Sequence, residues 1–142
     1  MSVPFPLKGL DHVVLLVDDM EKATVFYTDV IGCTVDNDLL QYGMRQLRAG
    51  AHLIDIVDIS SEQGAWARPA TAGGRNVDHV ALALGPTDPE AVRAHLAAHD
   101  VEIIEEGDRV GAEGDTLSFY IRDPAGNQVE LSFPGPLASP AT

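Results

Sequence analysis

The hydrophobic pattern of this chain repeats itself about halfway along. Segment 10–17 reads LDHVVLLV and segment 77–84 reads VDHVALAL, so that His79 follows His12 by 67 residues. Each segment is short and largely apolar and is bounded by Gly, Asn or Asp, which is typical of a mostly buried strand. The repeat therefore predicts two similar modules, each beginning with a strand that carries a histidine.

A helix is predicted after each of these strands. Asp18 is the expected N-cap of the first helix, Glu21 three residues later completes a capping-box-like pattern, and Gly32 ends the helix. Thr87 is the expected N-cap of the second helix, and Pro89 falls in its first turn. The repeat thus extends from the strands to the helices.

Three extended segments follow each predicted helix, so each module reads β-α-β-β-β. These segments are expected near 33–36, 44–49 and 52–59 in the first half, and near 101–105, 116–122 and 128–133 in the second. The predicted division is a first module over 7–60, a connector over 61–76, a second module over 77–133 and a disordered tail over 134–142.

One β-α-β-β-β module cannot bury both faces of a four-stranded sheet. The two modules are therefore expected to pack together, within one chain or by exchange between two chains. The predicted fold is α+β, a curved mixed sheet with the helices outside and a concave face available to a ligand.

Strand alternation places several polar side chains on that open face. His12 alternates with the apolar residues that face the other way, and Val129, Leu131 and Phe133 are expected to pack under the helices. Gln128, Glu130 and Ser132 then face the cavity, and Ser118, Tyr120 and Arg122 of the preceding strand are expected beside them.

Two imidazoles at equivalent repeat positions and a glutamate form a candidate metal site. Histidine nitrogens and a carboxylate suit Zn²⁺, Fe²⁺, Mn²⁺, Ni²⁺ or Co²⁺, and three protein ligands leave positions open for substrate. A single strand histidine is more often structural, and His52, His95 and His99 show that histidine is not rare in this chain. Spacing alone therefore leaves the ligand and the structural interpretations open.

The composition of the chain indicates which partners and which cellular compartment to expect. The 142 residues include 22 acidic and 9 basic ones, a net charge of −13 that disfavours nucleic acid as a partner. The longest apolar run, 13–17, is far shorter than the ~20 residues that cross a bilayer. A single cysteine, Cys33, cannot form an internal disulfide, which favours a reducing compartment and the cytoplasm.

Four motifs stand out along the chain: LDHVV from residue 10, FYTDVIG from 26, VDHVAL from 77 and FYIRDPAGNQVEL from 119. Together they resemble the vicinal oxygen chelate superfamily of glyoxalases, bleomycin-resistance proteins and dioxygenases, and the likeness runs from about Leu7 to Phe133. The resemblance implies that His12, His79 and Glu130 hold one divalent metal ion. It also implies that the Asp-Pro-x-Gly-Asn turn sets the register of Glu130.

The resemblance also implies a role for Asp55, which falls where the family often has a fourth ligand. Asp55 is expected to bind the metal, to bind it through water or to act as a base beside it, with an edge polar residue as the alternative interpretation. His52 has the wrong strand parity to share a face with Asp55 and is expected to be structural.

The activity that this resemblance implies is that of a glyoxalase I-like, metal-dependent lyase or isomerase acting on a small oxygen-rich or carbonyl substrate. Asp55, Glu130 and Tyr120 are the catalytic candidates, Ser118 and Tyr120 the substrate-binding ones, and a homodimer is expected. Leu16 and Ile59 stand where glutathione-binding residues are expected, so the use of a thiol stays open.

Other members of the superfamily offer different activities. A ring-cleaving Fe²⁺ dioxygenase, and an acidic bleomycin-type drug-binding protein without catalysis, are the main alternatives. A fosfomycin-type thiol transferase is disfavoured because the chain lacks the expected basic cluster, and an acyl-CoA epimerase would carry a different last turn.

Overall fold

The computed structural model describes residues 10–67, 77–112 and 114–134. The chain divides into two compact units, Met1–Arg68 and Pro69–Thr142. Residues 68–76 of the predicted connector and 135–142 of the predicted tail lie outside the described residues, as do residues 7–9 of the predicted first module.

The first unit has a four-stranded mixed sheet in the order β1-β4-β3-β2. Strand β1 pairs with β4 in parallel, and β3 pairs antiparallel with both β4 and β2. Its elements in chain order are β1 (His12–Val17), α1 (Met20–Val25), a π-helical segment (Phe26–Val30), β2 (Thr34–Leu39), a 3-10 turn (Leu40–Tyr42), β3 (Met44–Ala49) and β4 (His52–Asp58).

The second unit repeats this topology, with the sheet order β5-β8-β7-β6. Strand β5 pairs with β8 in parallel, and β7 pairs antiparallel with both β8 and β6. Its elements are β5 (Val80–Ala83), α2 (Pro89–Ala98), β6 (Glu105–Gly111), β7 (Gly114–Arg122) and β8 (Gln128–Ser132). The prediction of two β-α-β-β-β modules in an α+β fold is confirmed.

The apolar side chains of each sheet lie mainly on one face, as alternation along the strands predicts. In the first unit Leu15, Val17, Leu47, Ile54 and Ile56 are buried. In the second unit Leu96, Phe119, Ile121, Val129, Leu131 and Phe133 are buried. Because neighbours along a strand point to opposite faces, the residues between these apolar ones belong to the other face of each sheet.

Both helices begin one residue later than predicted. Asp19, rather than Asp18, is the first N-cap, and its side chain accepts a hydrogen bond from the backbone N–H of Lys22. Asp88, rather than Thr87, is the second N-cap and accepts from the N–H of Glu90, with Pro89 as the first helical residue. In both helices the N-cap is the aspartate that directly follows the predicted residue, because the carboxylate of that aspartate accepts from a free N–H of the first turn.

One strand lies elsewhere than expected. The prediction placed an extended segment near 101–105, whereas β6 begins at Glu105 and ends at Gly111. Residues 101–104 are irregular, although the N–H of Ile104 donates to the carbonyl of Tyr120. Helices of the described part are all too short or too polar to cross a membrane.

Candidate functional site

A tight turn positions the last two strands of the second unit. Asp123 is buried, and its Oδ1 accepts hydrogen bonds from the backbone N–H groups of Ala125 at 3.0 Å and Asn127 at 2.7 Å. Gly126 has φ +88°, a conformation that favours glycine. This turn joins β7 to β8 in a register that sets Tyr120 opposite Glu130.

Glu130, His79 and Tyr120 meet on the polar face of this sheet. The Tyr120 hydroxyl donates to Glu130 Oε1 at 2.8 Å, and His79 Nε2 lies 3.4 Å from Glu130 Oε2. The His79 and Tyr120 rings are in edge contact at 5.6 Å between centroids. Burial, and then the hydrogen bond to Glu130, raises the pKa of Tyr120, so its hydroxyl stays protonated and acts as a donor.

The first unit contains a matching histidine and carboxylate. His12 Nε2 lies 4.0 Å from Oδ2 of Asp55, a residue that is only 2% exposed. The same Oδ2 accepts a hydrogen bond from Gln46 Nε2 at 3.1 Å across the β3–β4 pair. The described residues therefore bring one histidine and one buried carboxylate together in each unit.

An aspartate precedes each histidine and holds its ring. His12 Nδ1 lies 2.7 Å from Asp11 Oδ2, and His79 Nδ1 lies 2.7 Å from Asp78 Oδ2. The hydrogen bond between Asp11 and His12 lowers the pKa of the aspartate and raises the pKa of the imidazole. A carboxylate on Nδ1 fixes the tautomer that leaves Nε2 available as a ligand.

Two buried oxygens have no hydrogen-bond partner within the described part of the chain. They are Asp55 Oδ1 and Ser118 Oγ. Because burying an unsatisfied polar atom costs about 1–3 kcal/mol, such atoms in a native fold call for an explanation. Both lie on the polar faces that strand alternation selects for ligand binding.

The predicted residues come together in part. Glu130, His79 and Tyr120 are in contact, Ser118 lies two residues before Tyr120 on the same face of β7, and Asp55 lies near His12. Over residues 10–67, 77–112 and 114–134, no group of three His, Cys, Asp or Glu side chains is close enough to hold a metal ion. The described residues thus form two histidine–carboxylate pairs, one in each unit.

Three contributors were missed from sequence. Asp11 and Asp78 had a usable signal, since an aspartate directly before each repeated histidine is itself repeated. Gln46 had none, because its contact with Asp55 depends on the β3–β4 register.

Comparison with known proteins gives matches over nearly the whole chain. The family model described as the Glyoxalase/Bleomycin resistance protein/Dioxygenase superfamily matches residues 9–131. Glyoxalase domain-containing protein RDO1 of Mycosarcoma maydis is 31% identical over 129 residues, which cover 89% of this chain and 68% of that protein.

Solved structures share the fold. Integron cassette protein VCH_CASS1, from the mobile metagenome of V. cholerae, has a TM-score of 0.70 and 29% identity, covering 92% of this chain and 98% of that one. Lactoylglutathione lyase from Agrobacterium tumefaciens has a TM-score of 0.64 and 22% identity, covering 91% and 96%. At that identity the second likeness concerns the fold alone.

Proposed function

This chain belongs to the glyoxalase/bleomycin resistance protein/dioxygenase superfamily, and from this membership we propose that it is a divalent-metal-dependent enzyme of the glyoxalase-like lyase or isomerase type. Its substrate is a small oxygen-rich or carbonyl compound. His12, His79 and Glu130 are the proposed ligands of one metal ion, with Asp55 as a candidate fourth ligand or base.

The observation that carries the proposal is the same three-residue arrangement in both units. In each, an aspartate holds Nδ1 of a histidine at 2.7 Å while Nε2 faces a buried carboxylate. A histidine that binds a metal through one ring nitrogen usually donates the N–H of its other ring nitrogen to a carboxylate, and further ligands lie near the metal-binding nitrogen. The carboxylates on both sides of each ring match this arrangement. The repetition of this arrangement supports a shared role.

The donor set fits a divalent transition metal. Imidazole nitrogen and carboxylate oxygen suit Zn²⁺, Ni²⁺, Mn²⁺, Co²⁺ and Fe²⁺. Asp55 Oδ1 is buried and accepts no hydrogen bond from any described residue. A bound cation would compensate the negative charge of this oxygen. The chemistry supplied by a bound ion would be Lewis-acid stabilisation of an enolate or similar oxyanion of the substrate.

The chain's own residues are proposed to orient the substrate and to move a proton. Tyr120 donates to Glu130 Oε1 and thereby fixes the orientation of that carboxylate. Ser118 and Tyr120 are the substrate-orienting hydroxyls on the same strand face. Asp55 and Glu130 are the candidates for proton transfer, because each is a buried carboxylate beside a histidine.

Metal stoichiometry of the purified full chain tests the ligand set. We expect about one divalent ion per chain by elemental analysis, and we expect His12→Ala and His79→Ala each to abolish uptake. His99→Ala, in which a histidine at the end of α2 is changed, is the matched control and should bind like the parent. Retention of a stoichiometric ion by His79→Ala would refute the assignment, since each pair would then bind alone.

Proton exchange tests the reaction class. The metal-loaded protein should catalyse exchange of the α-protons of dihydroxyacetone or a similar carbonyl compound into D₂O, followed by NMR, with and without an added thiol. Exchange that is lost on metal removal and restored by metal supports the proposal. Metal binding without exchange on any carbonyl probe would favour a binding protein instead.

A further inference from the structure

The polar face of the second unit carries a positively charged side chain, that of Arg109, which has no role in the proposed metal site. Strand register places Arg109 opposite Thr116, Gly107 opposite Ser118 and Glu105 opposite Tyr120. Residues at every second position share a face. Arg109 therefore lies on the same face as Ser118, Tyr120 and the hydrogen bond from Tyr120 to Glu130.

The Arg109 side chain folds back along its strand across Gly107. A Cβ atom at Gly107 would lie 2.7 Å from Arg109 Nη1, so the absence of a side chain there leaves room for the guanidinium. Nη1 donates to the Asp108 carbonyl at 2.9 Å, and Cζ lies 5.4 Å from the centre of the Tyr120 ring. The cation is thus held beside the tyrosine that contacts Glu130.

Ser118 provides a second, independent observation. Its side chain is fully buried, and its Oγ has no hydrogen-bond partner among the described residues. The neighbouring hydroxyls of Thr116 and Ser132 instead bond each other at 2.9 Å. Ser118 therefore retains an unused hydroxyl directly across the β6–β7 pair from Gly107, the position that the guanidinium covers.

These groups together are suited to an oxyanion. A guanidinium binds carboxylate or phosphate through two parallel N–H donors, and the adjacent Ser118 hydroxyl adds a further donor. On the basis of the proposed function, we propose that Arg109, together with Ser118, binds an anionic group of the substrate beside Tyr120. The substrate class is then a carbonyl or hydroxycarbonyl compound that also carries a carboxylate or phosphate.

Glu105 forms an ion pair with the Arg109 guanidinium when no such ligand is bound. Arg109 Nη2 lies 2.7 Å from Glu105 Oε1, and the Glu105 side chain is 62% exposed. Exposed ion pairs contribute little to stability, so a substrate oxyanion can replace Glu105 at small cost. Movement of the Arg109 side chain away from Gly107 in that exchange would also open access to the buried Ser118 hydroxyl.

Titration of the metal-free full chain with inorganic phosphate and with succinate tests the site without involving the metal. NMR shifts are expected around residues 107–109 and 118–120. Arg109→Met should weaken binding about tenfold or more, since charge-assisted hydrogen bonds are lost. Glu105→Gln should strengthen it several-fold because the competing carboxylate is removed. Arg93→Met is the matched control, because Arg93 lies over Phe119 on the other face of the same sheet.

A Ser118→Ala variant separates ligand binding from a structural role. It should bind the anion several-fold more weakly yet unfold at the same temperature or higher, since an unpartnered hydroxyl is removed. A fall in unfolding temperature with unchanged anion binding would contradict the role given to Ser118. Equal losses in Arg109→Met and Arg93→Met would mean a general charge effect, and would overturn the site.

Paired ligands test the substrate class in the metal-loaded protein. Dihydroxyacetone and its phosphate ester present the same adjacent oxygens and differ in the anionic group. The ester should bind about tenfold more tightly, and Arg109→Met should erase that preference while leaving metal content unchanged. Equal affinity for dihydroxyacetone and its phosphate ester would overturn the proposal. The metal uptake of the histidine variants is measured in a separate experiment. Failure of the anion site and failure of the metal site are therefore distinguishable.

Discussion

Asp55 and Glu130 occupy equivalent positions in the two units. In the parallel β1–β4 pair Asp55 lies opposite Val14, two residues after His12. In the parallel β5–β8 pair Glu130 lies opposite Ala81, two residues after His79. Each carboxylate thus has the same register relative to its histidine, although the two acids differ by one methylene. This equivalence makes Asp55 the counterpart of a proposed ligand.

Asp55→Asn is expected to weaken metal binding without unfolding the protein. The amide keeps an oxygen that can accept from Gln46, which now donates to Asp55 Oδ2 at 3.1 Å. Removing a buried carboxylate with an unpartnered oxygen should leave the metal-free protein as stable as the parent or more stable. Metal titration and thermal unfolding with and without metal measure both effects. A destabilised metal-free variant with parental metal affinity would show that Asp55 is structural.

Asp78→Ala should lower metal affinity by about 10–100-fold, the usual effect of removing an outer-shell carboxylate from a ligating histidine. Asp78 is 77% exposed, so the stability of the fold should change little. Competition with a coloured chelator measures the affinity, and Glu102→Ala, an exposed acid of the same unit, serves as control. Unchanged affinity in Asp78→Ala would mean that the hydrogen bond to His79 has no part in metal binding.

The sequence was sufficient for the fold because most of the strands and both helices have strong local signals. The apolar alternation of 129–133 predicts which face Glu130 occupies, and the structure places that residue beside His79. Strand β6 was misplaced because most of its residues are exposed to solvent. Its residues, EEGDRVG, are mostly polar, whereas the preceding VEII is apolar and resembles a strand. Backbone pairing with β7 holds β6 in the sheet, and this pairing leaves little trace in the hydrophobic pattern.

The sequence could predict the parts of the site that depend on alternation within a single strand, but not the contacts between strands. Parity along a strand could place Ser118 and Tyr120 on one face, and the structure agrees. The contacts of Asp55 with His12 and Gln46 depend on pairing between strands, which a single sequence does not specify. Arg109 was missed because its strand was misplaced, and its approach to Tyr120 depends on the absence of a side chain at Gly107.

Asp123→Ala should destabilise the protein by about 1–3 kcal/mol, because two backbone N–H groups and the Asn127 amide lose their acceptor. The turn also sets the register of Glu130, so metal affinity should fall together with stability. Urea unfolding measures the first effect, and Asp115→Ala, an exposed aspartate on β7, is the control. Parental stability in Asp123→Ala would show that the hairpin register does not depend on this carboxylate.

Arg45 links β2 and β3 to helix α1, and this cluster should make stability depend on pH. Arg45 Nε lies 2.7 Å from Asp38 Oδ1, and Nη1 donates to Thr24 Oγ1 at 2.9 Å. The hydrogen bond from Arg45 lowers the pKa of Asp38 below its usual value. A lowered folded-state pKa contributes stability above the unfolded value of about 3.9, and this stability is lost as pH falls through the folded value.

Urea unfolding of the parent and of Asp38→Asn at pH 7, 5 and 3 tests this pH dependence. Asp38 is 38% exposed, so solvent and salt screen the pair and the parent should be more stable by under about 1 kcal/mol at pH 7 and 5. The difference should shrink toward pH 3 and in high salt. Glu62→Gln, which changes an exposed acid of the same unit, should show no such trend. A difference that stays constant down to pH 3 would mean that Asp38 contributes through packing rather than through its charge.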